Sequence, residues 1–414
     1  MRQKITFFAS AASGRNVKLT EESIMQPIEE RNLETIPVGP LGIIPLESCR
    51  TIGEKINNYL VTWRKEREME HKTTIAFEGY QRDCYILNTK VPRFGSGEAK
   101  GIINESVRGD DLYILVDVCN YSLTYSLCGY TNHMSPDDHF QDLKRIIAAV
   151  AGKAKRINVI MPFLYESRQH KRTGRESLDC ALALQELMRM GVDNIITFDA
   201  HDPRVQNAIP LKGFETVQPV YQFIKGLFRA VPTLKINKDN TMVISPDEGG
   251  MNRAIYMANV LGLDMGMFYK RRDYATIVNG SNPIVAHEFL GSDVEGKDMI
   301  IIDDMISSGT SVLEVAAELK KRKAGRIFIC ATFGLFTNGM DKFDKAHEDG
   351  IFDFVLTTNL IYQTPELLQK PYYMNCDLSK YIAYIIDTLN HDASISSLLS
   401  PVDRINNFLA KHNQ

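Results

Sequence analysis

Charge of one sign is scarce in this chain: 48 Lys and Arg stand against 51 Asp and Glu, a formal balance of −3. That excludes a general attraction to nucleic acid or anionic lipid, so any phosphate chemistry has to rely on local clusters of cations. The seven cysteines, Cys49, Cys84, Cys119, Cys128, Cys180, Cys330 and Cys376, contain no CxxC pair and no zinc spacing. Scattered and odd in number, they are expected to be reduced thiols of a cytoplasmic protein. Also missing is any apolar run of roughly 18 residues or more, the length a membrane-spanning helix needs. The start MRQKITFFASAASG mimics a secretory signal, but its apolar stretch, Ile5 to Ala9, is too short, and a strand over Lys4 to Ser10 is expected instead.

What is present is a globular composition, 44% hydrophobic and 24% charged over 414 residues, which suits two domains of ordinary size. The segment from Arg15 to about Lys72 is the least informative, mixing charges with Pro27, Pro37, Pro40 and Pro45 and one amphipathic stretch near Ile52 to Lys65. From Thr73 onward short β-branched or aromatic runs, TTIAFEG, DLYILVDV, RINVIMPF and NIITFDAH, alternate with helical patterns. A second alternating block follows Pro219, with strands expected at TMVISPD, GMFYKR, DMIIIDD, RIFICATF and FDFVLTTN and helices at Met251 to Leu261 and Ser311 to Lys323.

Each block repeats one unit. RINVIMPF, a polar loop, the helix LDCALALQELMRM and the strand VDNIITFDAH are echoed by DMIIIDD, a polar loop, SVLEVAAELKKR and RIFICATF. The fold class expected is therefore α/β, two related parallel-sheet domains with a helical tail. Residues 1–219 would form the first domain, with an insertion at 15–72 of unknown role, and 220–385 the second. The tail, 386–414, has two apolar faces and should pack on the first domain or a neighbouring chain.

The most informative segment is MIIIDDMISSGTS, Met299 to Ser311: a buried strand, two acids at its carboxyl end, then a loop of small residues entering a helix. Ligands of open parallel sheets bind beyond the strands' carboxyl ends, and a helix start offers unpaired N–H groups and a positive dipole end to a phosphate. Ser307, Ser308, Gly309, Thr310 and Ser311 can wrap a phosphomonoester. Asp303 and Asp304 would be repelled by it but suit the hydroxyls of the sugar that carries it. An ordinary strand, turn and capped helix has the same local look.

At this point the chain resembles the type I phosphoribosyltransferase fold and, within it, the ribose-phosphate pyrophosphokinases. RFGSGEAKGIINESVRGDDLYIL, Arg93 to Leu115, is similar to that family's Phe-Ser-Asp-Gly-Glu motif and the Asn-Glu-Asn-Val-Arg-Gly turn after it. Arg168 and Gln169 match its Arg-Gln-Asp, FDAH ending at His201 its Asp-Leu-His, and SPDEGGMNRA, Ser245 to Ala254, its Ser-Pro-Asp-x-Gly-Gly. YKRR, Tyr269 to Arg272, is similar to its Asp-Lys-Arg-Arg, and LSKYIAYIIDTLNHDASISSLL to its carboxyl end. The resemblance runs from about Pro92 to Leu399.

It implies transfer of the β,γ-pyrophosphoryl group of ATP to the C1 hydroxyl of ribose 5-phosphate, yielding AMP and 5-phosphoribosyl 1-pyrophosphate. Such a transfer depends on positioning and on cations against the migrating oxygens. Lys270 and Arg272, two positions apart at a strand end before a loop at Asp273 to Asn282, are the candidates. His201 and Asp247 are expected to hold Mg2+, directly or through water, with Asp199 supporting His201 or its loop. Phe94 would stack on adenine, Glu98 would accept from its amine, and Arg168 and Gln169 would reach the nucleotide's phosphates or ribose. The resemblance further implies a homo-oligomer with the nucleotide site at a subunit interface, and no nucleic-acid or membrane partner.

Four positions depart from the family pattern: Ser96, His170 and Ser307 stand where acids are usual, and Thr310 stands where glycine is common. Two alternatives therefore stay open, a catalytically silent regulatory homologue and a phosphoribosyltransferase that consumes the activated sugar.

Overall fold

The computed structural model describes residues 36–69, 79–272 and 284–412, without the side chains of 68–69, 270–272 and 284–287. The strand expected at Lys4 to Ser10, most of TTIAFEG and the loop Asp273 to Asn282 lie outside the described residues.

Two sheets organise the chain. The first is wholly parallel and contains β1 (Leu41–Pro45), β2 (Asp111–Leu115), β3 (Arg156–Ile160), β4 (Asn194–Phe198) and β5 (Gly213–Val217), lying side by side in chain order. The second contains β6 (Thr241–Ser245), β7 (Asp264–Arg272), β8 (Ile284–Leu290), β9 (Asp298–Ile306), β10 (Ile327–Gly334), β11 (Phe354–Thr358) and β12 (Tyr373–Cys376). Its spatial order is β8-β7-β6-β9-β10-β11-β12, parallel except for the β7–β8 pair. Connections from β6 thus run first to one side and then to the other, which opens a crevice between the carboxyl ends of β6 and β9. The first sheet, with its monotonic order, has no such reversal among its described strands.

Burial explains the strand texture. β10 is buried throughout, and so is β9 apart from Asp303 and Met305. Strands covered on both faces read as continuous apolar runs, and helices supply the cover. These are α1 (Arg50–Met69), α2 (Pro136–Val150), α3 (Asp179–Arg189), α4 (Val220–Ala230), α5 (Met251–Leu261), α6 (Thr310–Lys321), α7 (Asp341–Glu348), α8 (Ser379–Asn390) and α9 (Val402–His412). α2 shows how local chemistry places a start: Ser135 and Asp138 form a reciprocal capping box and Pro136 occupies the first turn.

The expected insertion at 15–72 needs correction, because 41–69 is part of the first sheet's own fold as β1 and α1. LGIIP is only five residues long and is bounded by prolines, so it carries too little pattern to be read as a buried strand. The chain leaves the first sheet at Val217, and α4 already packs on β11 and β12 of the second.

The tail also divides differently from the expectation. α8 returns to the first sheet's side, where Tyr384 stacks on Trp63 of α1 at 4.2 Å and the fully buried Arg64 donates to Asn390 at 2.7 Å. α9 instead packs on α4 and α5, with Phe408 against Phe228 at 5.4 Å and Tyr221 at 6.2 Å. Of 386–414, the residues through Asn390 thus lie on the side of α1, and α9 lies on α4 and α5. The apolar stripe of α9 meets the nearer apolar faces of α4 and α5.

Candidate active site

The crevice of the second sheet is lined by the turn after β6 and the loop after β9. In the first, the Oδ1 of Asp247 accepts from the backbone N–H of Gly249 at 2.9 Å and of Gly250 at 3.2 Å, and Ser245 Oγ donates to the Asp247 carbonyl at 2.7 Å. Asp247 therefore shapes its own turn with one carboxylate oxygen. In the second, Gly309 adopts φ 78° and starts α6 without a side-chain cap. A Cβ there would come within 2.3 Å of the Phe343 ring, so glycine is required twice over. Thr310 is absent from the residues with positive φ, and its replacement of a family glycine carries no backbone strain.

Ser308 Oγ and Thr310 Oγ1 lie 3.3 Å apart at the mouth of this loop. With the backbone N–H groups of a helix start, they form a cradle for an anion.

His201, in the loop after β4 of the first sheet, reaches across to the second: its Nδ1 donates to Asp304 Oδ2 at 2.6 Å. The acid's hydrogen bond is the chief reason that His201 titrates above the ordinary histidine range, against the opposing effect of burial. Burial alone would raise Asp304, but the bond from His201 and the nearby Arg253 charge outweigh it and hold Asp304 low. Asp303 is pushed well up, first by burial and then by the Asp304 charge beside it. The two adjacent acids, assigned together to the sugar, are thus unequal. Asp304 is committed to His201, and Asp303 is the more accessible, 20% exposed against 7%.

Asp199 narrows another expectation. Its carboxylate takes Arg253 Nε at 2.7 and 2.9 Å, Thr332 Oγ1 at 2.6 Å and Gln218 Nε2 at 3.0 Å. With its acceptor positions filled by Arg253 and Thr332 from the second sheet's side and by Gln218, it ties the loop before His201 to Arg253 and makes no bond to the His201 ring. Arg253, on α5, in turn stands 3.9 Å from Asp303. Burial works against its charge, and Asp199, Asp304 and Asp303 together outweigh that cost. Sequence reasoning missed Arg253, although a lone arginine three residues after the Gly-Gly turn was in view.

The loop after β3 joins the same place through His170. His170 lies beside His201 with ring centroids 5.3 Å apart, and its Nε2 is 3.5 Å from Asp202. Arg168 is exposed, whereas Gln169 is spent locally, donating to the carbonyls of Ser177 at 2.8 Å and Lys171 at 3.2 Å. Phe94 and Glu98 stand apart, on a turn that packs on the hairpin of Thr124–Leu127 and Tyr130–His133 through Cys128 N to Gly95 O at 2.8 Å. Glu98 is held by Ser96 Oγ at 2.9 Å, and Phe94 is 52% exposed. Lys270 and Arg272 fall in the last three residues of β7, with a register irregularity between Arg271 and Arg272 that interrupts simple alternation. Their side chains lie outside the described residues.

The residues of this cleft can be set against known proteins. A profile of the N-terminal domain of ribose phosphate pyrophosphokinase matches residues 41–191, and one of the phosphoribosyl transferase domain matches 215–368. A ribose-phosphate pyrophosphokinase of Vibrio parahaemolyticus is 30% identical over 318 residues, covering 76% of this chain and 91% of that protein. The chain belongs to the ribose-phosphate pyrophosphokinase family. The counterpart from Mycoplasma genitalium is 32% identical over 274 residues, covering 65% of this chain and 74% of its own. In structure the chain is similar to phosphoribosylpyrophosphate synthetase from Mycobacterium smegmatis, with a TM-score of 0.64 at 21% identity, covering 85% of this chain and 99% of that one. The match beginning at residue 41 extends the resemblance back to β1, well before Pro92.

Proposed function

We propose that the protein transfers the β,γ-pyrophosphoryl group of ATP to the C1 hydroxyl of ribose 5-phosphate, giving 5-phosphoribosyl 1-pyrophosphate and AMP. One observation carries the reading: an uncapped helix start at Gly309 opens on the cleft in which His201 of the first sheet meets Asp304 of the second. A phosphate-binding turn beside sugar-binding acids, facing a second sheet, suits a phosphosugar and a nucleotide held together.

In this reading residues to 219 form the nucleotide side and 220–385 the sugar side. Ser307, Ser308, Gly309, Thr310 and Ser311 hold the 5′-phosphate and Asp303 takes a ribose hydroxyl. Asp304 orients His201 and closes the two sides on one another. Arg168 and the exposed Phe94 and Glu98 face the nucleotide, and a second copy of the chain completes that site in a homo-oligomer. Lys270 and Arg272 balance charge on the migrating phosphates. All seven cysteines are unpaired, which suits the cytoplasm.

Magnesium fits this site as an ion carried by the substrate. Among the described residues no three acids, histidines or cysteines converge to hold a metal. Magnesium takes one or two protein ligands, keeps several waters and binds substrate phosphates, and the remaining Asp247 oxygen and the His201 ring suit that. When bound it would neutralise the triphosphate; the chain's own groups position the sugar and exclude water.

The second reading, a silent regulatory homologue, draws on Ser307, which removes a carboxylate from the loop. One assay separates the two: purified chain with ribose 5-phosphate, ATP and magnesium, followed for AMP and 5-phosphoribosyl 1-pyrophosphate. No product from the chain alone, with altered turnover on joining an active partner, would leave only the regulatory reading.

A further inference from the structure

The phosphate loop has a cation beside it that belongs to another element. Lys342 sits in the first turn of α7, and its Nζ approaches Thr310 Oγ1 at 3.5 Å. The next residue, Phe343, is fully buried beneath the loop, where its ring excludes a Cβ at Gly309. Phe336 and Phe352 meet that ring edge-on at 5.1 and 6.1 Å. The start of α7 is thereby clamped to the start of α6, and the Lys342 backbone is held beside the loop whichever rotamer its side chain takes.

The local electrostatics favour an anion here. Each helix start presents the positive end of its backbone dipole, and Lys342 stands at the start of α7 with its ammonium at the start of α6. Of the two acids in this first turn, Asp344 is engaged by Lys370 at 2.8 Å and Tyr372 at 2.6 Å, and Asp341 is exposed to solvent. Lys342 has no ion pair with an acid among the described residues, and 307–311 contain no carboxylate. A phosphate at the loop would meet the start of α6 and this ammonium together, and lysine's compact ammonium suits a phosphate oxygen.

We propose that Lys342 binds the 5′-phosphate of the sugar, which then lies between the start of α6, the Thr310 hydroxyl and the Lys342 ammonium. This is a binding residue and takes no part in bond making. The inference rests on the assignment of the loop to ribose 5-phosphate.

The test compares the full chain with Lys342→Ala, Lys342→Arg and Lys342→Glu after matching their melting curves. Lys342→Ala is expected to raise KM for ribose 5-phosphate about tenfold, equivalent to roughly 1.4 kcal/mol, with kcat and KM for ATP nearly unchanged. Lys342→Arg restores most of the affinity, and Lys342→Glu weakens it further than alanine does. Calorimetric titration with ribose 5-phosphate gives a readout without turnover. An active Lys342→Ala enzyme with unaltered KM overturns the role of Lys342 and leaves the activity standing. A wild-type chain that binds ribose 5-phosphate without turnover, and loses that binding in Lys342→Ala, keeps the lysine and removes the activity. A wild-type chain that neither binds nor turns over the sugar removes both.

Discussion

Gly309→Ala is the perturbation whose size follows most directly from the structure. At φ 78° an alanine occupies the left-handed region, at a cost of about 1–2 kcal/mol. Its Cβ would also stand 2.3 Å from Phe343, and forcing a methyl into a packed core costs roughly 1–3 kcal/mol more. The sum, about 2–5 kcal/mol, corresponds to a fall in Tm of roughly 4–20 °C at about 2–4 °C per kcal/mol. Because the strain falls on the turn proposed to receive the 5′-phosphate, KM for ribose 5-phosphate should rise as well. Calorimetry and initial rates read the two effects separately. Adding Phe343→Leu removes part of the steric cost but none of the backbone cost, so the double variant should recover some of the lost Tm over Gly309→Ala. A Tm and a KM both indistinguishable from wild type would refute the account of the loop.

Arg253→Ala leaves Asp199 and Asp303 without their buried partner; a loss of about 3–5 kcal/mol is expected, measured by urea unfolding, with turnover reduced as Asp303 becomes harder to ionise. Burial pushes Asp117 up to about 7, so the folded state holds a proton that the unfolded chain has released. The stability this contributes is full below the ordinary carboxylate value and is lost as pH rises through about 7. Asp117→Ala should flatten the decline of Tm between about pH 4 and 7, and an unaltered slope would remove Asp117 as its source. Lys270→Ala should lower kcat at least about tenfold, roughly 1.4 kcal/mol of barrier, with the melting curve unchanged. Equal turnover would take Lys270 out of its assigned role.

The elements that could be read in advance are those whose signal is contiguous. DMIIIDD became the buried core of β9, and the helix expected at Met251 to Leu261 appears with those bounds. LDCALALQELMRM folded as α3, one residue shorter at each end. β1, β5 and β12 escaped because LGIIP is bounded by prolines and GFETV and YMNC are too mixed with polar residues to stand out as apolar runs. β8 was overlooked as well, since it is specified by pairing antiparallel with β7.

For the site the division is similar. The turn from β9 into α6 was legible because strand, acids, small residues and helix start follow one another in the chain, and each depends on its immediate neighbours. His201 and Asp304, separated by 103 positions, meet only because the two sheets face each other. The same holds for Arg253 against Asp199, for Lys342 against Thr310 and for the return of α8 to α1. Sequence by itself settled the chemistry each segment can offer, through backbone conformation and side-chain type. Sheet order and packing between distant segments decided which of those groups share a cleft, because burial and charge pairing act through space and not along the chain.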